Sequence, residues 1–144
     1  MGQIWKNKVT PAILNDMHQE TMVGHLGIQV TEIGENYIKM SMPVDYRTIQ
    51  PMGLLHGGAS MVMAETAGSI ASFLCTDNVK THVPVGVEIN ASHLKSATKG
   101  NVYSTTTPLK IGNRLHSWNT DIHDGEGNLI CTSRLTVMII PSRK

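Results

Sequence analysis

A run of small and apolar residues, Gly57 to Leu74, is the feature that most restricts how this chain can fold, because Glu65 is its only ionisable residue. As a helix, this run is apolar on nearly every face, so it is expected to be buried in a core. A carboxylate is seldom buried without a partner or a chemical task, and no Lys or Arg lies within helical reach. We therefore expect burial to raise the pKa of Glu65 and to make it an active-site base.

The rest of the chain predicts one short helix and several strands. Thr10 and Pro11 have the residue types of a helix N-cap and first turn, and this helix is expected to end near Gln19. Turn residues separate runs that predict two strands before the long helix and four after it: 26–33, 37–44, 84–97, 102–111, 115–123 and 129–140. Strands on both sides of one helix predict an α+β fold, an antiparallel sheet packed on one face by that helix.

Alternation is clearest in the first strand after the long helix. Val85, Val87, Ile89 and Ala91 are expected on one face of that strand, and the polar residues between them on the other.

Composition limits the classes of partner. The chain has 144 residues, one domain's worth, and its net charge of +1 indicates neither a nucleic-acid partner nor an acidic membrane surface. A charged fraction of 16% is low beside the usual ~25%, which indicates that another subunit covers part of the surface.

The predicted central helix has too few residues, and too many Gly and Ser, to span a bilayer. The first residues lack an export segment, and Cys75 and Cys131 are expected to be free thiols, so a cytoplasmic location is predicted.

The motif around the start of the long helix resembles a known family. The run Pro51–Ser60, followed by Glu65, is similar to the hotdog-fold acyl-CoA thioesterases of the phenylacetate-degradation type. Met42–Asp45 and Glu88–Ala91 strengthen this resemblance, which extends from residue 5 to about residue 139. It implies a single hotdog domain over 1–144, in which the antiparallel sheet wraps around one long central helix.

The resemblance also implies an activity. Within that family, the chain resembles the bacterial thioesterases that act on 1,4-dihydroxy-2-naphthoyl-CoA in menaquinone biosynthesis and the proofreading thioesterases of enterobactin synthesis. An enzyme that hydrolyses acyl-CoA, with a preference for aromatic acyl groups, is therefore expected. Coenzyme A would be part of the substrate, and no separate cofactor is expected. A homotetramer built as a dimer of dimers, with active sites across the dimer interface, is implied as well.

Two catalytic groups lie on the long helix. Gly57 begins it, where free backbone N–H groups and the positive end of the helix dipole can stabilise an oxyanion, and the family gives the matching Gly this role. Glu65 lies eight residues further on, about 12 Å away, which is too far for both to act on one thioester within a chain. An antiparallel pair of helices from two subunits would bring Gly57 of one to Glu65 of the other. The sequence leaves open whether Glu65 is a nucleophile or activates water.

Three polar residues flank these groups, and each has two interpretations. Ser69, one turn after Glu65, either holds the attacking water or orients the carboxylate, or else it bonds a backbone carbonyl one turn back. The resemblance assigns Gln50 and His56 to the acyl group and the thioester oxygen. The alternatives are an ordinary polar loop residue for Gln50 and a helix cap for His56.

Coenzyme A is expected to lie across the late strands. Three cationic side chains there are either phosphate ligands or ordinary surface charges. The resemblance assigns to coenzyme A the residues Gly86, His93, Leu94, Lys95, Ser96, Lys110, Ile111, Gly112, Asn113, Arg114 and Leu115. No metal site is expected, since the seven histidines form no helical pair and no cluster with cysteine.

Two other functions stay open beside the thioesterase. A hotdog hydratase or dehydratase would use a His with a carboxylate, but the spacing of His56 and Glu65 differs from that pattern. A non-catalytic acyl-CoA-binding module would need a partner domain or a lost carboxylate, and Glu65 is present.

Overall fold

The computed structural model describes residues 2–143. Its helices are α1 (Pro11–His18), α2 (Met22–His25) and α3 (Gly57–Cys75), and its strands are β1 (Gln29–Ile33), β2 (Ile38–Pro43), β3 (His82–His93), β4 (Asn101–Ile111), β5 (Leu115–His123) and β6 (Leu129–Pro141). The sequence missed only α2, whose four residues are too few to show a helical period. Among the described residues, no helix has the length and hydropathy that crossing a membrane requires.

The six strands form one antiparallel sheet in the order β1-β2-β4-β5-β6-β3. Helix α3 contacts five of the strands, β2 to β6, so the sheet wraps around it. This confirms the predicted α+β fold with one long central helix. The capped start of α1 is confirmed too, since the side chain of Thr10 accepts a hydrogen bond from the Ile13 N–H.

The buried side of α3 packs against β5 and β6. Trp118 is fully buried there, and the absence of a Cβ at Gly68 lets Leu135 approach the helix closely. Inside this core, the Ser72 hydroxyl accepts a hydrogen bond from Trp118 Nε1 at 2.8 Å and lies 3.0 Å from His116 Nδ1. Ser72, His116 and Trp118 are thus paired with one another, which avoids the cost of leaving these three buried polar groups unsatisfied.

The expectation that α3 is buried on every side is wrong for a single chain. A stripe along the helix is only half-buried, and it contains Val62, Glu65, Ser69 and Phe73. The spacing of three or four residues between them places them on one face. Small and apolar residues on that face made the helix look fully buried, although one side of it stays open.

Strand β3 forms an edge of the sheet, because β6 is its one neighbour among the described strands. A β-bulge between Gly86 and Glu88 leaves Val87 without a partner in the β6 ladder. The bulge reverses the alternation, so Val85 lies on the opposite face from Ile89. The predicted common face for Val85, Val87, Ile89 and Ala91 is therefore wrong. Val85 and Val87 are 36% and 51% exposed, which leaves apolar surface along this edge.

Because His116 is buried in the core, the stability of the protein is expected to depend on pH. Burial lowers the pKa of His116 below its usual value. Well above pH 6.5 a histidine is neutral in both states. As the pH falls through 6.5, the unfolded chain binds the proton more readily than the folded one, so the free energy of unfolding falls. The melting temperature is expected to drop between pH 7.5 and 5.5, and to drop less in His116→Gln.

That pH window separates His116 from the carboxylates. Glu32, Asp45 and Asp124 have lowered pKa values, so their contributions are lost only below their ordinary values of 4.5 and 3.8. If the melting temperature changes equally with pH in the wild type and in His116→Gln, then His116 is not the group that makes stability depend on pH in this range.

Candidate active site

The amino-terminal end of α3 presents an unused hydrogen-bond donor. His56 caps the helix, since its ring Nδ1 accepts from the Gly58 N–H at 2.8 Å. This is the capping role that the sequence offered as the alternative for His56, and its contact with substrate stays a prediction. The Gly57 N–H finds no acceptor within residues 2–143. A free donor at the positive end of a helix dipole is suited to an oxyanion.

A cavity of about 320 Å³ surrounds that donor. It brings Gln50 and Gly57 together with residues 93–96, and we call these residues the Gly57 half-site. The His93 ring packs directly on Gly57, because a Cβ built at residue 57 would lie 2.8 Å from His93 Nε2. The side-chain oxygen of Gln50 accepts a hydrogen bond from the Met52 N–H, which leaves its amide nitrogen free to donate.

Glu65 lines a different cavity, of about 360 Å³. We call Glu65, Ser69 and the other residues around this cavity the Glu65 half-site; the others are Leu14, Met17, His18, Val23, Thr66, Ile70 and Phe73. The carboxylate rests against β3, since a Cβ built at Gly86 would overlap Glu65 Oε1. Among the described residues it has neither an ion-pair partner nor a hydrogen-bond donor. Glu65 is thus an unpaired carboxylate at the wall of an apolar cavity, as a catalytic base requires.

The hydroxyl of Ser69 is also unpaired within residues 2–143. Ser69 does not form the hydrogen bond to a carbonyl one turn back that was its alternative role, whereas Thr66 forms one of that kind, to Val62 at 2.6 Å. Ser69 therefore keeps its hydroxyl for the cavity that it shares with Glu65.

The Glu65 half-site contains residues that sequence reasoning did not single out. Leu14, Met17 and His18 come from α1, and Val23 comes from α2. The spacing of the three α1 residues, i, i+3 and i+4, places them on one helical face. That spacing was the available signal, although it could not show which cavity the face lines.

The two half-sites lie one after the other along α3 and β3. Residue 86 of β3 meets Glu65, and His93 of the same strand meets Gly57, so the strand runs antiparallel to the helix. Gly57 and Glu65 stay about 12 Å apart, which is two turns of helix. One chain therefore does not bring the Gly57 N–H and the Glu65 carboxylate together.

The residues expected to bind coenzyme A are divided as well. His93, Leu94, Lys95 and Ser96 lie at the amino-terminal end of α3, and Gly86 lies against Glu65. The turn from Lys110 to Leu115 lies at the opposite end of the helix, where Ile111, Gly112 and Asn113 line a third cavity with Thr76 and His82.

The cations of these segments differ in their partners. Lys95 Nζ lies 3.9 Å from Asp124 Oδ2. Lys110 and Arg114 are exposed, and neither pairs with an acidic residue in the described part of the chain. A single subunit thus leaves two cations available at the far end of α3, away from Lys95.

Comparisons with known proteins agree with this architecture. Residues 52–131 match the family described as the thioesterase superfamily. The chain is 48% identical to a 1,4-dihydroxy-2-naphthoyl-CoA hydrolase of Escherichia coli, over 95% of this chain and 99% of the relative. It is 44% identical to a proofreading thioesterase, EntH, of Cronobacter sakazakii, over 95% and 98% of the two chains.

A solved structure has the same fold. The crystal structure of a thioesterase from Haemophilus influenzae superposes with a TM-score of 0.92 and 42% identity, covering 96% of both chains. These matches confirm the resemblance drawn from the sequence, with its expectation of a thioester-hydrolysing enzyme. By its fold, by the family match over more than half of its residues and by these relatives, the chain belongs to the thioesterase superfamily.

Proposed function

We propose that this protein hydrolyses acyl-CoA thioesters to the free acid and coenzyme A, with Glu65 as the base or nucleophile. The observation that carries the proposal is the pair of unused groups on α3, the Gly57 N–H and the Glu65 carboxylate. The first would stabilise the oxyanion as the carbonyl is attacked, and the second would activate water or attack the carbonyl itself. Gln50, His56 and Ser69 would position the acyl group and the attacking water.

We propose further that the site is completed by a second subunit. The exposed edge of β3 has unpaired backbone groups, which favours pairing with another strand. Antiparallel pairing of β3 with its own copy, about a two-fold axis near Ile89 and Asn90, would place the Gly86 end beside the His93 end of the partner subunit. Glu65 would then approach Gly57 of the partner subunit.

The same pairing would assemble the coenzyme A residues. The turn from Lys110 to Leu115, next to the start of β3, would approach Lys95 of the partner subunit. Cations from two subunits would then face the phosphates of one coenzyme A. A dimer of two such dimers, and a cytoplasmic location, stay predictions.

The acyl group is proposed to occupy the Glu65 half-site. The cavity of this half-site has a volume of about 360 Å³, which lies within the range of small-molecule pockets, and most of its walls are apolar side chains. An aromatic acyl group fits such a cavity, and the 1,4-dihydroxy-2-naphthoyl group, which the Escherichia coli relative carries in its name, is the first candidate. A role in menaquinone biosynthesis would follow from that substrate.

The direct test is thiol release from a panel of acyl-CoAs. The panel contains 1,4-dihydroxy-2-naphthoyl-, benzoyl- and hydroxybenzoyl-CoA with short and long straight-chain esters. Release of free coenzyme A, with the aromatic esters turned over fastest, is the expected result. Thiol release separates the thioesterase from the hydratase and from the binding module, because neither of these frees the thiol. If no ester is cleaved, the proposed activity is wrong.

Gly86 gives a prediction about the position of the base. In Gly86→Ala the new Cβ would push the Glu65 carboxylate out of place, while the strand itself accepts alanine. We expect kcat/KM to fall roughly 100-fold, since about 1 Å of misplacement costs that much. The melting temperature should change little, because the displaced atoms end a flexible side chain.

Gly125→Ala is the matched control for this change. A Cβ there meets nothing within 4 Å, so full activity is expected. Wild-type activity in Gly86→Ala would show that the position of Glu65 against β3 does not matter.

A further inference from the structure

We propose that His18 selects the acyl group, by presenting Nε2 as a hydrogen-bond acceptor to a hydroxyl on an aromatic acyl chain. The inference rests on the proposed thioesterase activity and adds the substrate feature that the cavity distinguishes. It begins with the end of α1, where His18 is the last helical residue.

The protonation of the ring follows from one contact. His18 Nδ1 lies 2.8 Å from the carbonyl oxygen of Leu14, one turn back along α1. A carbonyl can only accept, so Nδ1 must carry the proton and donate it. In the neutral ring, Nε2 then holds the lone pair and accepts.

The other ring nitrogen is available to a ligand. His18 is half-buried, lines the Glu65 half-site, and its Nε2 has no hydrogen-bond partner within residues 2–143. The nearby hydroxyl of Thr66 already donates to Val62. His18 therefore offers an acceptor in the wall of the cavity that Glu65 and Ser69 also line. An acyl group without a donor would leave this nitrogen unpaired, which costs binding free energy.

The surroundings of His18 define the chemical class of the donor. The apolar walls, which include Ile70 and Phe73, favour an aromatic ring. A phenolic hydroxyl on that ring would donate to Nε2. A carboxylate in the same place would meet both the Nε2 lone pair and the negative charge of Glu65. The cavity thus fits a hydroxylated aromatic acyl group better than a plain or carboxylated one.

The experiment compares matched substrates in matched variants. For benzoyl-CoA and its 2-, 3- and 4-hydroxy derivatives, kcat/KM is measured in the wild type and in His18→Phe, which keeps a ring without nitrogen. The wild type is expected to favour the best hydroxylated ester about tenfold, and His18→Phe to reduce that ratio to near one by slowing the hydroxylated ester. A merely structural role would slow all four esters alike.

Two further variants provide an independent test and a control if His18→Phe folds poorly. His18→Asn can still donate to the Leu14 carbonyl but cannot reach into the cavity, so it should lose the preference with its melting temperature retained. His25 is an exposed histidine in α2 outside the cavity, so the control variant His25→Phe should keep the wild-type ratio.

Affinities separate this inference from the proposed activity. Dissociation constants of the same esters for Glu65→Gln protein, measured by calorimetry, report the selection without hydrolysis. We expect Glu65→Gln protein to bind a hydroxylated ester more tightly than the plain one, and the double variant with His18→Phe to lose this difference. That result supports the inference even if the wild type cleaves nothing. Equal ratios in wild type and His18→Phe, no hydroxyl preference in the wild type, or no binding of any ester would overturn it.

Discussion

Glu65→Gln is expected to lower kcat for the best acyl-CoA by roughly 1,000-fold, within the range that a positioned base contributes. Glutamine keeps the shape of the side chain against Gly86 but can neither take a proton from water nor attack a carbonyl. The loss should appear in kcat more than in KM, because the carboxylate acts on the reacting atoms. Thiol release under saturating substrate measures it.

Stability supplies the control for this variant. Glu65 has no charged or hydrogen-bonding partner among the described residues, so removing its charge breaks no ion pair. The melting temperature of Glu65→Gln should equal or exceed that of the wild type. Undiminished thiol release would show that the base lies elsewhere.

Isotope labelling of a single turnover tests for the nucleophilic role of Glu65, because only that role can put label from water into the enzyme. In ¹⁸O-water, a general base directs the label into the released acid. A nucleophile forms an anhydride with the acyl group, and water that then attacks the Glu65 carbonyl leaves the label in the enzyme. Mass spectrometry of the acid and of the peptide that contains Glu65 measures the outcome.

Gly57→Ala is expected to lower kcat about 100-fold or more, the loss typical of an impaired oxyanion hole. The new Cβ would lie 2.8 Å from the His93 ring and would stand beside the only N–H proposed to meet the oxyanion. The backbone donor remains, so the loss comes from its displacement and from the blocked approach of the thioester. Thiol release and circular dichroism together separate this effect from misfolding.

Mixing Gly57→Ala with Glu65→Gln tests where the active site lies. If Glu65 works with Gly57 of the partner subunit, each mixed dimer holds one intact site and one site with both defects. After random exchange of equal amounts, activity should rise to about one quarter of the wild-type value. No recovery, with mixed dimers verified by mass spectrometry, would place each site within one subunit.

The sequence predicted the fold well because its strongest signals are local. The apolar run after Gly57 defined α3, and turn residues bounded the strands within a few positions. The bulge at Val87 was not predicted, since it depends on how β3 pairs with β6, and no local residue pattern specifies that pairing. The alternation assigned to Val85 failed for this reason.

The candidate site was predicted in its residues rather than in its arrangement. Glu65 stood out because a lone carboxylate in an apolar helix is rare. Its half-buried position did not follow, because burial depends on which side of α3 the sheet leaves uncovered. His18 gave no signal of its own, since a histidine near a helix end is common and its cavity is formed by α1, α2 and α3 together.

The edge of the sheet bears on how newly made chains avoid aggregation. A 12-residue strand with exposed valines is a template for indiscriminate strand addition. In β3, however, Pro84 has no N–H to offer, the bulge at Val87 interrupts the ladder, and Glu88 places a charge beside it. Pro84, Val87 and Glu88 all precede Ile89, so a foreign strand would find a regular edge only from Ile89 onward, whereas the proposed two-fold pairing is centred on Ile89 and Asn90. The sequence of β3 thereby discourages fibril-like stacking.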